Sequence, residues 1–433
     1  MNKVLEAQDR AAAKSRFRSW AKKLGPGLIT GAADDDPSGI ATYSQAGAQF
    51  GMNILWSMFF TYPLMVGIQI VSARIGRVTG KGLSANIREQ FPAWLLYLTV
   101  GLLVVANTIN IAADVSAMGD AVGLLTGGPT RLYAAAFGLL SLVLQIFIPY
   151  RRYVRILKWL TLALLSYVGV VFAVKIAWLD VLRALVWPQL EWNAATVTTL
   201  VAVFGTTISP YLFFWQASQE VEELEAAPER KPLVEAPDQA RNSFRRIKID
   251  TYIGMGFSNL VAAFIILNTA VTLHAHGVVN IQTSAEAATA LRPIAGEFAF
   301  LLFAGGIVGT GLLAVPVLAG SAAYATAGAF GWKKGLELKP MVAKRFYGII
   351  AVSTLVGVAL GFTALDPIKA LYWSAVINGV ISVPIMAVMM LMAANARVMG
   401  RFVVTRRLKW LGWMATGLMA VAVIAMFATL DLS

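Results

Sequence analysis

The chain of 433 residues contains no cysteine. That absence excludes disulfides and thiolate ligands, and with them the soft donor that zinc and copper sites often use. Histidine is nearly missing too, with only His274 and His276, so a metal site has to be built from oxygen, nitrogen or thioether. Charge is scarce. Asp, Glu, Lys and Arg make up 14% of the residues against 58% hydrophobic ones, where a soluble protein of this length carries roughly a quarter charged residues. Lipid is the solvent that such a composition suits. No long polar interval separates the apolar runs between Leu24 and Leu430. One integral domain, 24–433, is therefore expected behind a basic amphipathic arm, 1–23. No short apolar stretch with a small-residue cleavage site follows the arm, which we take as retained in the cytoplasm. No nucleophile and base pair or zinc-ligand spacing is present, which speaks against an enzyme.

A membrane span needs about 20 largely apolar residues. Such stretches fall at 24–49, 53–75, 95–125, 131–149, 156–178, 195–218, 249–273, 296–330, 346–364, 368–393 and 410–430. An all-α polytopic protein of eleven helices is expected. The formal net charge of +13 lies in alternate loops. One side collects Lys22 and Lys23, then Arg74, Arg77, Lys81 and Arg88, then Arg151, Arg152, Arg155 and Lys158. Later segments on that side add Arg241, Arg245, Arg246 and Lys248, then Lys333 and Lys334, then Arg401, Arg406 and Arg407. The other side holds isolated cations such as Arg131, Arg183 and Arg292. Because short loops rich in Lys and Arg stay inside, the N-terminus is expected in the cytoplasm and the C-terminus outside. Basicity is then a matter of topology, and nucleic acid is not an expected partner. The acidic, proline-bearing stretch 220–248 has the composition of a flexible solvated connector, and the segment around His274 and His276 that of a solvated outer loop.

Two spans carry signals for a break. The first contains Asp34-Asp35-Asp36-Pro37-Ser38-Gly39 near its middle. An ionised group at bilayer depth costs several kcal/mol unless it meets water, a partner or an ion. Pro37 removes a backbone donor and clashes with the preceding turn, so the helix is expected to unwind and free carbonyls near Ala33. Irregular backbone at that depth is tolerated where it is buried in protein or lines a cavity. The alternative, a span that starts later behind an exposed acidic loop, leaves too few residues to cross twice at about 1.5 Å per residue. The sixth span repeats the pattern in Thr206-Thr207-Ile208-Ser209-Pro210. Alone it would suggest an ordinary proline kink. Breaks at the first and sixth positions of two five-helix halves instead indicate inverted repeats, about 24–178 and 195–393, around a midplane site, with 410–430 as an added helix.

The same residues resemble the natural resistance-associated macrophage protein (Nramp) family of divalent-metal transporters along nearly the whole chain. The resemblance is carried by Gly25-Pro26-Gly27, Asp36-Pro37, Ala41-Thr42 and Gln45-Ala46-Gly47-Ala48, and by Ala73-Arg74-Ile75-Gly76-Arg77-Val78-Thr79-Gly80-Lys81. Tyr150-Arg151-Arg152 and Ile249-Asp250-Thr251 add to it. It implies a LeuT-like inverted-repeat fold and a location in the bacterial cytoplasmic (inner) membrane. Asp36 falls on the family's metal-binding aspartate, Ala33 on a position whose carbonyl contacts metal, and Thr206 on the nearby sixth-span carbonyl. Three departures stand out: Gly39 replaces a metal-binding asparagine, Ser209 the methionine ligand, and Tyr211 and Gln216 two histidines tied to proton handling. Asp114 falls on a proton-pathway acid, while Ala117 replaces the glutamate beside it.

Without the thioether the expected shell is oxygen alone, from Asp36, Ala33, Thr206, Ser209, Asp35 and Gly39, and it suits a hard ion. Magnesium and manganese both fit, and the small residues Ser38, Gly39 and Ser209 leave room for a partly hydrated magnesium ion. This resembles the Nramp-related magnesium transporters. The expected function is divalent-cation transport by alternating access with weak or absent proton coupling. The ion is the substrate, lipid the surroundings, no cofactor is implied and the oligomeric state is open. The alternatives are a proton-coupled manganese and iron importer, with Asp114 relaying protons, a sodium-coupled organic-solute symporter, and a non-transporting scaffold. Asn378 is a further candidate ligand, and Asp34 and Asp35 have no counterpart in the family's motif.

Overall fold

The computed structural model describes residues 30–31, 33–148, 164–227, 229–363 and 366–430. Among these, every regular element is helical. The basic arm 1–23, Gly25-Pro26-Gly27, Tyr150-Arg151-Arg152 and the start of the fifth span lie outside the described residues.

The first span is helical at Thr30, Gly31, Ala33 and Asp34, leaves the helix at Asp35 and Asp36, and resumes as α1 (Pro37–Phe50). It is followed by α2 (Trp56–Thr79), the short α3 (Leu83–Gln90), α4 (Ala93–Thr126) and α5 (Thr130–Phe147). Next come α6 (Leu165–Ala173) and α7 (Trp178–Val186), and then the two parts of the sixth span, α8 (Ala194–Thr207) and α9 (Pro210–Glu225). The chain continues through α10 (Ala240–Thr272), α11 (Ser284–Thr289), α12 (Ala299–Phe330), α13 (Lys344–Gly361), α14 (Pro367–Ala394) and α15 (Arg406–Leu430). Nine stretches among the described residues are long and apolar enough to cross a bilayer. They match every expected span except the first, which the break divides, and the fifth, of which α6 is the main described part.

Two groups of helices organise the bundle. The helices α4, α5, α12 and α13 pack on one another, and α1, α2, α8, α9 and α10 form the second group, with α14 touching both. From Gly309 to Ala329 every residue of α12 is buried, as expected of a helix that is apolar all round and enclosed by neighbours. Between α8 and α14 the approach is backbone to backbone. A Cβ on Gly205 would lie 2.1 Å from the Ala375 carbonyl oxygen and 2.5 Å from the Gly379 nitrogen. Small residues at such crossings let membrane helices touch closely.

Two expectations are corrected here. Helix α10 begins at Ala240 rather than near 249, because Ser243, Ile247, Asp250 and Gly254 keep a buried helical period through a charged first turn. Asp250 and Thr251 are therefore well inside the helix. Nor is the whole of the stretch 220–248 a solvated connector: only 226–239 lies outside α9 and α10. Helix α9 runs to Glu225, with Glu220 fully buried and paired to Arg246 of α10. Arg246 also reaches Glu223 at 3.3 Å. Glu222 accepts hydrogen bonds from the Tyr324 hydroxyl and, at 2.6 Å, from the Leu336 amide. Composition cannot reveal such pairs, because the partners come from distant segments. Cations expected on one side of the membrane gather at this end. The Arg77 Nε donates to Ser243 Oγ at 3.2 Å, and burial pushes the Lys334 ammonium below its usual range, opposed by the Glu225 carboxylate.

Candidate metal site

Both breaks follow from one piece of geometry. In an α-helix the amide of residue 37 would bond the carbonyl of residue 33, and that of residue 210 the carbonyl of 206, but proline has no N–H to give. The stranded carbonyls find hydroxyls instead: Ala33 O accepts from Tyr211 Oη at 3.1 Å, and Thr206 O from Ser209 Oγ at 2.7 Å. The residues before each proline are extended, with φ −70° and ψ 170° at Asp36 and φ −78° and ψ 131° at Ser209. A residue preceding proline is disfavoured in the helical region, and each break places it at a helix N-cap.

Asp36 is held from two directions. Its Oδ1 accepts from the Gly39 amide at 2.7 Å, capping α1, and its Oδ2 accepts from Tyr211 Oη at 3.2 Å. One phenolic proton is thus shared between Asp36 and the Ala33 carbonyl. Both are acceptors that a cation can bridge. Gly39 lets the two broken spans approach closely, since a Cβ there would stand 3.2 Å from Thr206 Oγ1. The Ser209 hydroxyl donates to Gly205 O at 2.8 Å as well as to Thr206 O, so its proton faces its own helix and its lone pairs remain for a ligand. Ser38 ties the break to α14 through Leu371 O at 3.0 Å and Ser374 Oγ at 3.1 Å.

Ala33, Asp35, Asp36, Thr206, Ser209 and Asp114 are all buried, as is Gly39. The alternative of an exposed acidic loop fails on that observation. Asp114 of α4 has Asp36 and the Ser38 amide as its electrostatic neighbours, and neither of its carboxylate oxygens has a hydrogen-bond partner of ordinary geometry. Asp35 is placed differently. It turns with Asp34 toward Ser258 of α10, away from the Asp36 contacts. Asn378 is buried in α14, which runs unbroken through Pro384, and no hydrogen bond links it to Asp36. His274 and His276 are exposed.

Sequence reasoning treated Tyr211 as a lost histidine and missed that its hydroxyl reaches Ala33 and Asp36. Its place directly after the break proline was the available signal. Ser258 and Ser374 carried none. At the C-terminal half of α1 lies a cavity of about 500 Å³ lined by Gln45, Thr198, Asn280, Lys369 and Trp373. Thr199 and Tyr372, whose hydroxyls are 2.8 Å apart, also line it.

Two proline-broken helices facing each other, one from each half of a helical bundle, define an integral membrane transporter of the inverted-repeat class. A solved manganese transporter from Eremococcus coleocola shares this fold at a TM-score of 0.69, 18% identity and coverage of 96% of this chain and 89% of that one. MhsT, solved in complex with L-phenylalanine, shares it more distantly at 0.56, with 12% identity over 93% and 98% of the two chains. The profile of the family described as natural resistance-associated macrophage protein-like matches residues 27–429. The chain belongs to that family. Among relatives, the divalent metal cation transporter MntH of Deinococcus radiodurans is 26% identical over 416 residues, 93% of this chain and 88% of the relative. The protein of the same name from Klebsiella pneumoniae is 25% identical over 421 residues, covering 95% and 94%.

Proposed function

We propose that the protein carries hard divalent cations, magnesium or manganese, across the bacterial cytoplasmic membrane by alternating access. The observation that carries this reading is the Tyr211 hydroxyl of the second break, which donates to both the stranded Ala33 carbonyl and the Asp36 carboxylate of the first, while the second break strands its own carbonyl at Thr206 against Ser209. All of these donors are oxygen. Oxygen ligands suit magnesium and manganese. The relatives named as divalent metal cation transporters agree with it. Asp36 is the main ligand, and α1 and α9 move against the group formed by α4, α5, α12 and α13.

Proton coupling is weak or absent on this reading. Tyr211 and Gln216 are neutral, and both are engaged, the latter accepting from Thr30 Oγ1 at 2.5 Å. Asp114 remains as a buried acid with no histidine or glutamate beside it on α4.

Uptake into liposomes tests the proposal. Magnesium and manganese are expected to compete, and an imposed pH gradient is expected to leave the initial rate unchanged. Flux of neither ion would end the reading; a rate that follows the gradient would restore proton coupling. Ser209→Met adds a soft thioether and is expected to raise cadmium uptake relative to magnesium by about tenfold. An unchanged cadmium to magnesium ratio would remove Ser209 from the site.

A further inference from the structure

The acids at the end of α9 divide between the two groups of helices. Glu220 pairs with Arg246 of α10, which Glu223 also meets at 3.3 Å, and α9 and α10 belong to one group, both packed on α2. Glu222 instead crosses to the other group. Its Oε1 accepts from the Tyr324 hydroxyl of α12 and, at 2.6 Å, from the Leu336 amide just beyond that helix. The frame that receives it is braced from α13. Tyr347 Oη lies 3.3 Å from the Leu336 carbonyl oxygen and 3.0 Å from that of Leu338, and the Tyr324 and Phe346 rings pack with centroids 4.9 Å apart. Gly335 adopts φ 147°, and a Cβ there would lie 3.3 Å from Glu222 Oε1, so glycine both takes this backbone conformation and leaves room for the carboxylate.

We propose that Glu222 is a positioning residue of the transport cycle: it latches α9 onto the frame of α12 and α13 in this conformation, and its release lets this end of the bundle open toward Asp36. The end is shut as it stands. Thr30, before the first break, donates to Gln216 of α9, and both residues are fully buried. That bond also places α9 on the opposite side of the breaks from α1, whose far end lines the cavity of about 500 Å³. The neighbouring contact of α9 with α12 is apolar, Trp215 against Tyr324 with centroids 6.1 Å apart, and an apolar contact slides without losing a directed bond. Two donors on one carboxylate oxygen are either made or lost, which is what a two-state element needs. Glu222 is half-buried and meets water on leaving, so opening costs little desolvation; the fully buried Glu220 would be stranded without Arg246, which travels with it.

The latch rests on the alternating-access reading, and its test is separable. Because the chain has no cysteine, single reporters can be introduced as Thr30→Cys on the latched side and Gln49→Cys at the cavity. Maleimide labelling of the cargo-free, full-length protein in nanodiscs gives a rate for each. Glu222→Ala is expected to raise the ratio of the Thr30→Cys rate to the Gln49→Cys rate by about tenfold. Tyr324→Phe removes one of the two donors and is expected to raise it about threefold. Glu222→Gln keeps an acceptor oxygen for both donors and is expected to stay nearer the wild type than Glu222→Ala. A merely loosened fold speeds both reporters alike and leaves the ratio where it was. An unchanged ratio in Glu222→Ala and Tyr324→Phe overturns the proposal, and should Glu222→Ala not fold, Tyr324→Phe decides. An unchanged ratio beside intact metal flux leaves the proposed function standing, whereas wild-type protein that carries no divalent ion ends that function whatever the labels show.

Discussion

Manganese uptake into liposomes bearing Asp36→Asn is expected to fall by about 100-fold or more. The substitution is close to isosteric, and the asparagine oxygen still accepts from the Gly39 amide, so the cap that starts α1 survives. What is lost is the negative charge at the Tyr211 hydroxyl that also serves the Ala33 carbonyl. Neutral oxygens alone do not repay the dehydration of a divalent ion. Asp34 and Asp35 do not stand in for it, since both are directed at Ser258 on another helix. A chromatographic profile identical to the wild type shows that the fold is kept. Unchanged flux under those conditions would remove Asp36 from the pathway. Asp36→Glu is expected to fall between the two, because the longer side chain keeps the charge but moves it off the capping geometry.

Much of this site can be read in the chain, because proline acts through covalent structure and needs no tertiary context. Pro37 and Pro210 each strand one carbonyl wherever they occur in a helix, so Ala33 and Thr206 follow from sequence and from the four-residue reach of the helical bond. Burial of the acid trio follows from the same breaks. The division of that trio was not legible. Asp34 and Asp35 face Ser258 more than 220 residues away, and nothing in the local sequence separates them from Asp36. The acidic run from Glu220 misled for the same reason. A charged segment is normally solvated, but here Arg246, Tyr324 and the Leu336 amide arrive from elsewhere to receive the carboxylates. Local backbone chemistry and hydrophobic period are written along the chain, whereas the choice of partner for a buried charge is written in the packing.

Gly205→Ala, a change of one methyl group, is expected to cost about 1–3 kcal/mol or more of stability, visible as a lower thermal midpoint in detergent. The added carbon would lie 2.1 Å from the Ala375 carbonyl oxygen and 2.5 Å from the Gly379 nitrogen. Both colliding atoms are backbone, so no rotamer change relieves the clash and no smaller side chain exists at 379 to make room. Helices α8 and α14 have to move apart. Because Thr206 is the next residue along α8 and supplies the stranded carbonyl of the sixth span, the separation also displaces one wall of the cargo site. Uptake is therefore expected to fall further than the loss of folded protein explains when rates are divided by the amount of monodisperse transporter. A variant with wild-type midpoint and wild-type rate per molecule would show that α8 and α14 do not touch at this crossing.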